Sequence, residues 1–305
     1  MMHQALEKIV KQLNTIILGK ERQIKLSLVC LLAKGHLLIE DLPGMGKTTL
    51  AHALAKVLGL EFQRIQFTSD LLPGDIIGSA IYRRSDETFK FHHGPIFTQV
   101  LLADEVNRAT PKSQSALLEA MEEHQVTSDG HSYALPQPFF VIATQNPFHQ
   151  IGTYPLPESQ LDRFLIRISL GYPEPQVERL LFSGQDTRQQ IELLKPQMDA
   201  KSLIELQSQV QAVSTSEVLL DYLQILVNQT RHNTLWQHGL SPRGGLALLN
   251  AAKAWAFLHG RDYVIPDDIQ EVWFAVAGHR LEHHIGRSEQ DSDVTALLKQ
   301  VEVPR

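Results

Sequence analysis

The chain of 305 residues has one cysteine, Cys30, which excludes an intramolecular disulfide and a cysteine-based metal cluster and fits a reducing compartment. It also lacks a long hydrophobic run. The longest, residues 28–33, is far too short to cross a bilayer, so no membrane insertion is expected. Positive charge is not in excess: 28 Lys and Arg stand against 34 Asp and Glu, a formal charge of -6, which argues against a dedicated nucleic-acid surface. Internal repeats and low-complexity tracts are missing. So is the apolar block after a basic start that marks a secretory leader, since residues 1–17 follow an amphipathic helical pattern instead. What these absences leave is a cytoplasmic globular protein, 43% hydrophobic and 20% charged, long enough for two domains that each bury a core.

What is present centres on residues 35–58, GHLLIEDLPGMGKTTLAHALAKVL. A short apolar strand, 36–39, leads into a loop with Pro43, Gly44 and Gly46, and a helix opens at Lys47 with Leu50, Leu54 and Leu58 on one face. Strand, glycine loop and helix are the context of a phosphate-binding loop. The glycines let successive backbone N–H groups turn inward as an anion nest, and the helix adds its positive end. Lys47 then reaches the β- and γ-phosphates of a nucleotide, and the Thr48 hydroxyl binds Mg²⁺. One position departs from G-x-x-x-x-G-K-[ST]: Asp41 stands where the first glycine belongs.

Around that loop the chain reads in order as helices over 1–17, closed by Gly19, and 21–34, then a strand over 61–67. Residues 68–97 interrupt the α/β alternation with a Pro73-Gly74 break and a hairpin (79–82 and 88–92), an insertion of a size that is usually functional. The buried strand 99–103 ends in Asp104-Glu105, at the carboxyl edge where open α/β sheets bind ligands. There Asp104 holds Mg²⁺ through water, and Glu105 orients and deprotonates an attacking water. Thr110-Pro111 opens a helix to residue 123 with Leu117, Leu118 and Met121 inward, and Asp129-Gly130 turns a second hairpin. Strand 139–143 runs into Thr144-Gln145-Asn146-Pro147, where the uncharged amide of Asn146 hydrogen-bonds γ-phosphate and water without repelling either. A helix over 157–164 carries Arg163, and the strand 165–170 follows. Beyond a composition break at 171–175 the periodicity is helical: 176–183, 200–213, 218–233, 242–259 and 266–279. The domains are therefore 1–175 and 176–305. His279, Glu282, His283 and His284 have a spacing that would serve a metal, but the solvated polar face of a terminal helix explains them more simply.

Seven stretches, EDLPGMGKT, FTSDLLPGDIIG, GPIF, LLADEVNRATPKSQSALLEAMEEHQVT, ATQNP, YPLPESQLDRF and LSPRG, make the chain resemble the AAA+ ATPases and, within them, the MoxR family over nearly its whole length. Asp41 is what that family shows at its position. The resemblance implies an α/β fold, a P-loop AAA+ core with a parallel sheet and two hairpin insertions, followed by a small all-α lid. It implies that Pro43, Gly44, Met45, Gly46, Lys47, Thr48 and Thr49 bind ATP, that Thr48 and Asp104 serve Mg²⁺, and that Gly19 with Ile17-Leu18 backs the adenine. Catalytic roles fall on Glu105, on Asn146 as sensor 1, on Arg163 as an arginine finger, with Arg108 and Arg167 competing for that role, and on Arg243 as sensor 2. A guanidinium fork suits the charge that γ-phosphate transfer spreads over three oxygens. A finger in trans requires a homo-oligomer, and the resemblance implies a hexameric ring. It further implies a chaperone-like ATPase that remodels a protein client, maturing complexes or inserting a metal or cofactor, with a von Willebrand factor A domain protein as a separate partner. Two alternatives stand beside it. A nucleic-acid-stimulated motor finds Arg83-Arg84 but then Asp86-Glu87 and no basic stripe, and a nucleotide-gated scaffold with negligible turnover would have no need of Glu105.

Overall fold

The computed structural model describes residues 2–85, 87–146, 152–182, 187–282 and 290–303. Two helices, α1 (Met2–Ile16) and α2 (Glu21–Leu32), precede strand β1 (Leu37–Glu40) and helix α3 (Lys47–Val57). After β2 (Phe62–Gln66) come a short helix α4 (Pro73–Ile77) and the hairpin β3 (Gly78–Arg83) with β4 (Thr88–His93). Strand β5 (Val100–Asp104), a 3₁₀ turn (Val106–Arg108) and α5 (Pro111–Glu123) lead to the second hairpin, β6 (Gln125–Ser128) with β7 (His131–Ala134). Then follow β8 (Phe140–Gln145), α6 (Glu158–Leu161) and β9 (Ile166–Ile168). The remainder is helical: α7 (Pro175–Phe182), α8 (Thr187–Leu193), α9 (Ala200–Gln211), α10 (Glu217–His232), α11 (Pro242–Leu258), α12 (Pro266–Ala277) and α13 (Gln290–Leu298).

The five long-range strands form one parallel sheet in the order β2-β5-β8-β1-β9. Parallel strands are covered on both faces, which explains why the central ones read as unbroken apolar runs. Leu37, Ile39, Leu102 and Ile142 point into one apolar layer with α1, α2 and α3, while Leu38, Leu101, Ala103 and Val141 point into the other with Leu117, Leu118 and Met121 of α5. The first layer continues without a break into Leu206, Tyr222, Leu248, Trp255 and Trp273 of the helical region. Both expected hairpins form. Asp129 and Gly130 take φ of 50° and 77°, as a tight hairpin turn of primed type requires, and Phe91 of the first hairpin stacks on Tyr133 of the second at 4.1 Å.

Three local expectations change. The helix expected over 157–164 is a single turn, α6: beyond it Arg163 N–H and Phe164 N–H close tighter i→i−3 bonds to Gln160 and Leu161, and the carbonyls of Asp162 and Phe164 accept from Arg280 of the helical region. Helices α4, α8 and α13 lie in stretches where sequence periodicity was too short to signal a helix. His279 is buried rather than on a solvated face, with its Nε2 against the Phe164 carbonyl at 2.8 Å, while His283 and His284 lie outside the described residues.

His36 locks the amino edge of the sheet. Its Nδ1 accepts from Val141 N–H at 3.0 Å, so the proton sits on Nε2, which donates to the Met121 carbonyl at 3.2 Å. The bond accepted by Nδ1 needs the neutral ring, and burial pushes the imidazole pKa down to about 4, helped by His124 nearby and opposed by the Met121 carbonyl. The unfolded chain therefore binds the proton first, and stability present above pH 6.5 is lost as pH falls toward 4, about 3 kcal/mol in all. His36→Gln, whose amide keeps one acceptor and one donor without titrating, is expected to melt less steeply with acidification over that window. Parallel Tm-versus-pH curves for variant and wild type would contradict this role.

Candidate functional site

The loop between β1 and α3 is shaped by two left-handed glycines, Gly44 at φ 84° and Gly46 at φ 87°. A Cβ at either would meet nothing within 4 Å, so backbone conformation and not space requires glycine there. Gly46 is the N-cap of α3, and Lys47 and Thr48 begin the helix. Lys47 is buried and its ammonium donates to the Asp41 carbonyl at 2.6 Å. Burial holds its pKa below the ordinary lysine value, opposed by the carboxylates of Asp104, Asp41 and Glu105. Asp41 explains its own departure from the generic motif. It is buried, and its Oδ2 accepts from Leu170 N–H at 2.6 Å, Gly171 N–H at 2.7 Å and the Ser169 hydroxyl at 3.2 Å. A glycine there could not tie the loop to the end of β9.

Beside the loop, the carboxyl end of β5 brings Asp104 and Glu105 to the same cleft, of about 440 Å³, as Pro43, Gly46, Lys47, Thr48 and Thr49. Asp104 Oδ1 accepts from the Thr144 hydroxyl at 2.5 Å, and Oδ2 pairs with Arg64 at 2.6 Å. Glu105 is a non-glycine residue in the left-handed region, φ 56° and ψ 50°. That conformation costs on the order of 1 kcal/mol and persists where neighbours enforce it. Here Thr144 Oγ1 accepts from the Glu105 N–H at 2.9 Å, and Gln66 and Arg108 donate to Glu105 Oε2 at 2.8 and 2.9 Å. The Thr48 hydroxyl and the Asp104 carboxylate are hard oxygen donors of the kind Mg²⁺ takes, so the residues fit that ion.

Asn146 follows β8 at the same edge, its carbonyl accepting from Asn107 Nδ2 at 3.2 Å. A second cleft, of about 370 Å³, adjoins the loop and is lined by Ile17, Leu18, Gly44, Met45, Tyr172 and Val177. Gly19 stands behind it at φ 69°, where a Cβ would come within 3.3 Å of Val177 Cγ2. The two expected arginines lie elsewhere. Arg163 precedes β9 and Arg243 opens α11, and both border a cleft with Gly35 and His36, at the amino edge of the sheet. Arg163 pairs with Glu122 Oε2 at 2.8 Å and Arg243 with Glu122 Oε1 at 3.0 Å. Of the competing candidates, Arg167 is in a half-buried pair with Glu40 at 2.9 Å, and Arg108 is on Glu105 of its own chain.

Arg64, Gln66, Asn107 and Glu122 did not stand out in the sequence. Gln66 is in register with Asp104 across two parallel strands, and such pairing has no fixed sequence spacing. The one available signal was a charged and an amide side chain alternating with Ile65 at the end of a strand.

Nucleotide loop, acidic strand end and helical appendage together define an AAA ATPase. The family described as "ATPase family associated with various cellular activities (AAA)" matches residues 36–166, and the AAA lid domain matches residues 228–300. The chain is 47% identical over 300 residues to the uncharacterized protein YeaC of Bacillus subtilis, covering 98% of this chain and 94% of that one. Chaperone MoxR1 of Mycobacterium tuberculosis is 42% identical over 286 residues, covering 90% of this chain and 75% of its own. A crystal structure from Cytophaga hutchinsonii superposes with a TM-score of 0.89 at 36% identity, covering 99% of this chain and 96% of that one. The chain belongs to the MoxR family of AAA+ ATPases, and it hydrolyses ATP.

Removing the Asp41 carboxylate leaves buried N–H groups without acceptors, at about 1–3 kcal/mol each. Asp41→Ala is therefore expected to lower Tm and to weaken ATP binding by about tenfold or more, since Gly171 and Tyr172 border the adjoining cleft. Asp41→Asn keeps an acceptor oxygen and should lose much less. Thermal melts with ATP titration check both, and equal losses would show that the acceptor geometry is not what matters.

Proposed function

We propose that the chain is a Mg²⁺-dependent, ring-forming ATPase of the cytoplasm that remodels protein complexes, each subunit lending Arg163 and Arg243 to the site of its neighbour. The observation that carries this is positional. The nucleotide loop, Asp104, Glu105 and Asn146 stand at the carboxyl edge of a parallel sheet, and both arginines stand at the amino edge, held by one carboxylate. Strand β8, of six residues, spans about 20 Å between those edges. An arginine side chain does not bridge that distance, so a γ-phosphate that meets these guanidinium groups belongs to another chain. Head-to-tail contacts of that kind close into rings, and six subunits is the number the family resemblance implies.

In this reading the backbone of residues 43–48 and Lys47 hold the phosphates, with the base of ATP against Ile17, Leu18 and Tyr172. Thr48 and Asp104 would hold Mg²⁺, which would supply charge neutralisation at the phosphates. Glu105, turned by its left-handed backbone and steadied by Gln66 and Arg108, takes the proton of a water that attacks the γ-phosphorus. The bond to the β–γ bridging oxygen breaks, releasing ADP and phosphate. Asn146 orients that water, and the neighbour's guanidinium forks meet the charge spread over the equatorial oxygens. The protein client meets the first hairpin, where Tyr82 and Phe89 are exposed as a ring pair 5.3 Å apart. Stacking of Phe91 on Tyr133 ties that hairpin to the second one. The chaperone role follows the relative of that name, and a separate von Willebrand factor A domain protein as partner follows the family resemblance.

Mixing dead variants tests the shared site. Glu105→Gln lacks the base and Arg163→Ala lacks the finger, so each alone should hydrolyse at least 100-fold slower than wild type, by about the usual contribution of such groups. Mixed equally, sites with an intact Glu105 and an intact neighbouring arginine recur in about one quarter of positions, and activity should return to about that fraction. The same rescue is expected for Arg243→Ala. An unrescued Arg243→Ala would assign that residue to its own chain's site, and an unrescued Arg163→Ala would overturn the shared site.

A further inference from the structure

We infer that Arg280 is the positioning residue of the Arg163 finger, fixing the turn that carries it to the helical region. The inference rests on the shared-site reading of Arg163. Arg280 follows the end of α12, and its side chain is only 5% exposed. Its guanidinium has five N–H donors, and each one has an acceptor. Nε donates to Asp162 Oδ1 at 2.7 Å. Nη1 donates to the carbonyls of Leu165, at 3.2 Å, and Val276. Nη2 donates to the carbonyls of Asp162 and Phe164 at 3.1 and 2.8 Å. Four of the five bonds therefore end on residues 162, 164 and 165, which flank Arg163 on both sides.

The arrangement fixes a short segment rather than merely filling space. Residues 162–165 form the turn between α6 and β9, where helix is already broken and its carbonyls need outside donors. The neighbouring His279 adds Nε2 against the Phe164 carbonyl at 2.8 Å. Arg163 itself points the other way, to Glu122. Backbone and finger are thus held by different partners: Arg280 sets where the turn sits, and Glu122 sets where the guanidinium waits. The start of α11, which carries Arg243, also packs on Arg280, since a Cβ on Gly244 would lie 3.4 Å from Arg280 Cδ. A shift of the helical region carries Arg280 with it, and with Arg280 the finger presented to the next subunit. A misplacement of about 1 Å at a catalytic group costs on the order of 100-fold in rate.

The experiment measures ATP affinity, kcat and rescue for Arg280→Lys and Asp162→Ala. Lysine keeps the charge but places at most three donors at one point, so it loses the fork. Asp162→Ala removes the acceptor of Arg280 Nε from the turn and leaves Arg280 in place, which keeps a testable variant if Arg280→Lys fails to fold. For either variant the expected results are an ATP Kd within about twofold of wild type, because the nucleotide loop is at the opposite edge, and a kcat lowered about tenfold or more. Equal mixing with Glu105→Gln is then expected to restore activity, because the intact finger arrives from the Glu105→Gln subunit. Arg163→Ala mixed the same way is the reference. If that reference is rescued and the Arg280 and Asp162 variants are not, Arg280 serves its own chain and the inference is overturned; wild-type kcat in both variants overturns it too. If the reference itself is not rescued, the shared-site reading has failed, a separate result.

Discussion

In a parallel sheet every strand has its carboxyl end on the same edge, and that polarity sorts the functional groups of this chain into two sets. Groups that follow strands directly, the Gly44–Gly46 loop after β1, Asp104-Glu105 after β5 and Asn146 after β8, collect at one edge. Groups that precede strands or end the return helices collect at the other: Glu122 at the end of α5, Arg163 before β9, His36 before β1. Neither set reaches the other within one chain. On the proposed reading this is why hydrolysis needs an oligomer: the subunit is built with a site facing one way and the arginines that complete a site facing the other.

Each edge is fixed by paired charges, with Asp41 and Asp104 buried at one and the Arg280 side chain buried at the other. At the carboxyl edge Asp41 binds the end of β9 through two backbone N–H groups, while Asp104 and Glu105 are placed by Thr144, Arg64, Gln66 and Arg108. Hydrogen bonds to an ionised acceptor are the strong kind, and in a partly buried setting they define position more tightly than apolar packing does. At the amino edge alternate charges run Arg163, Glu122, Arg243, and then Asp162 with Arg280. That chain joins α5, the turn carrying Arg163, α11 and α12, so the helical region and the sheet meet through directional contacts as well as through the shared apolar layer.

The parts of the fold that the sequence made legible are those written locally. Gly44, Gly46, Lys47 and Thr48 declare the loop by spacing, the run 99–103 declares a buried strand by composition, and Asp129-Gly130 declares a hairpin by its demand for positive φ. Arg64, Gln66 and Arg280 were silent because their partners come from register and tertiary packing: Gln66 lies opposite Asp104, and Arg280 meets a turn 115 to 118 residues away in the chain. His279 misled for the same reason. Its position one helical turn from His283 suggested a solvated face, whereas the deciding contact, the Phe164 carbonyl, is invisible to periodicity. The single-turn α6 likewise gives way to a turn whose carbonyls meet Arg280 and His279, contacts that propensity does not describe.

The central claim, that each site is completed by a neighbouring subunit, is tested most directly by ATP hydrolysis per subunit over a wide range of total protein concentration, with Glu105→Gln as the blank. Specific activity that climbs with concentration and levels off as the oligomer saturates is what the account predicts. Specific activity that stays constant down to concentrations at which sedimentation finds only monomers would contradict it.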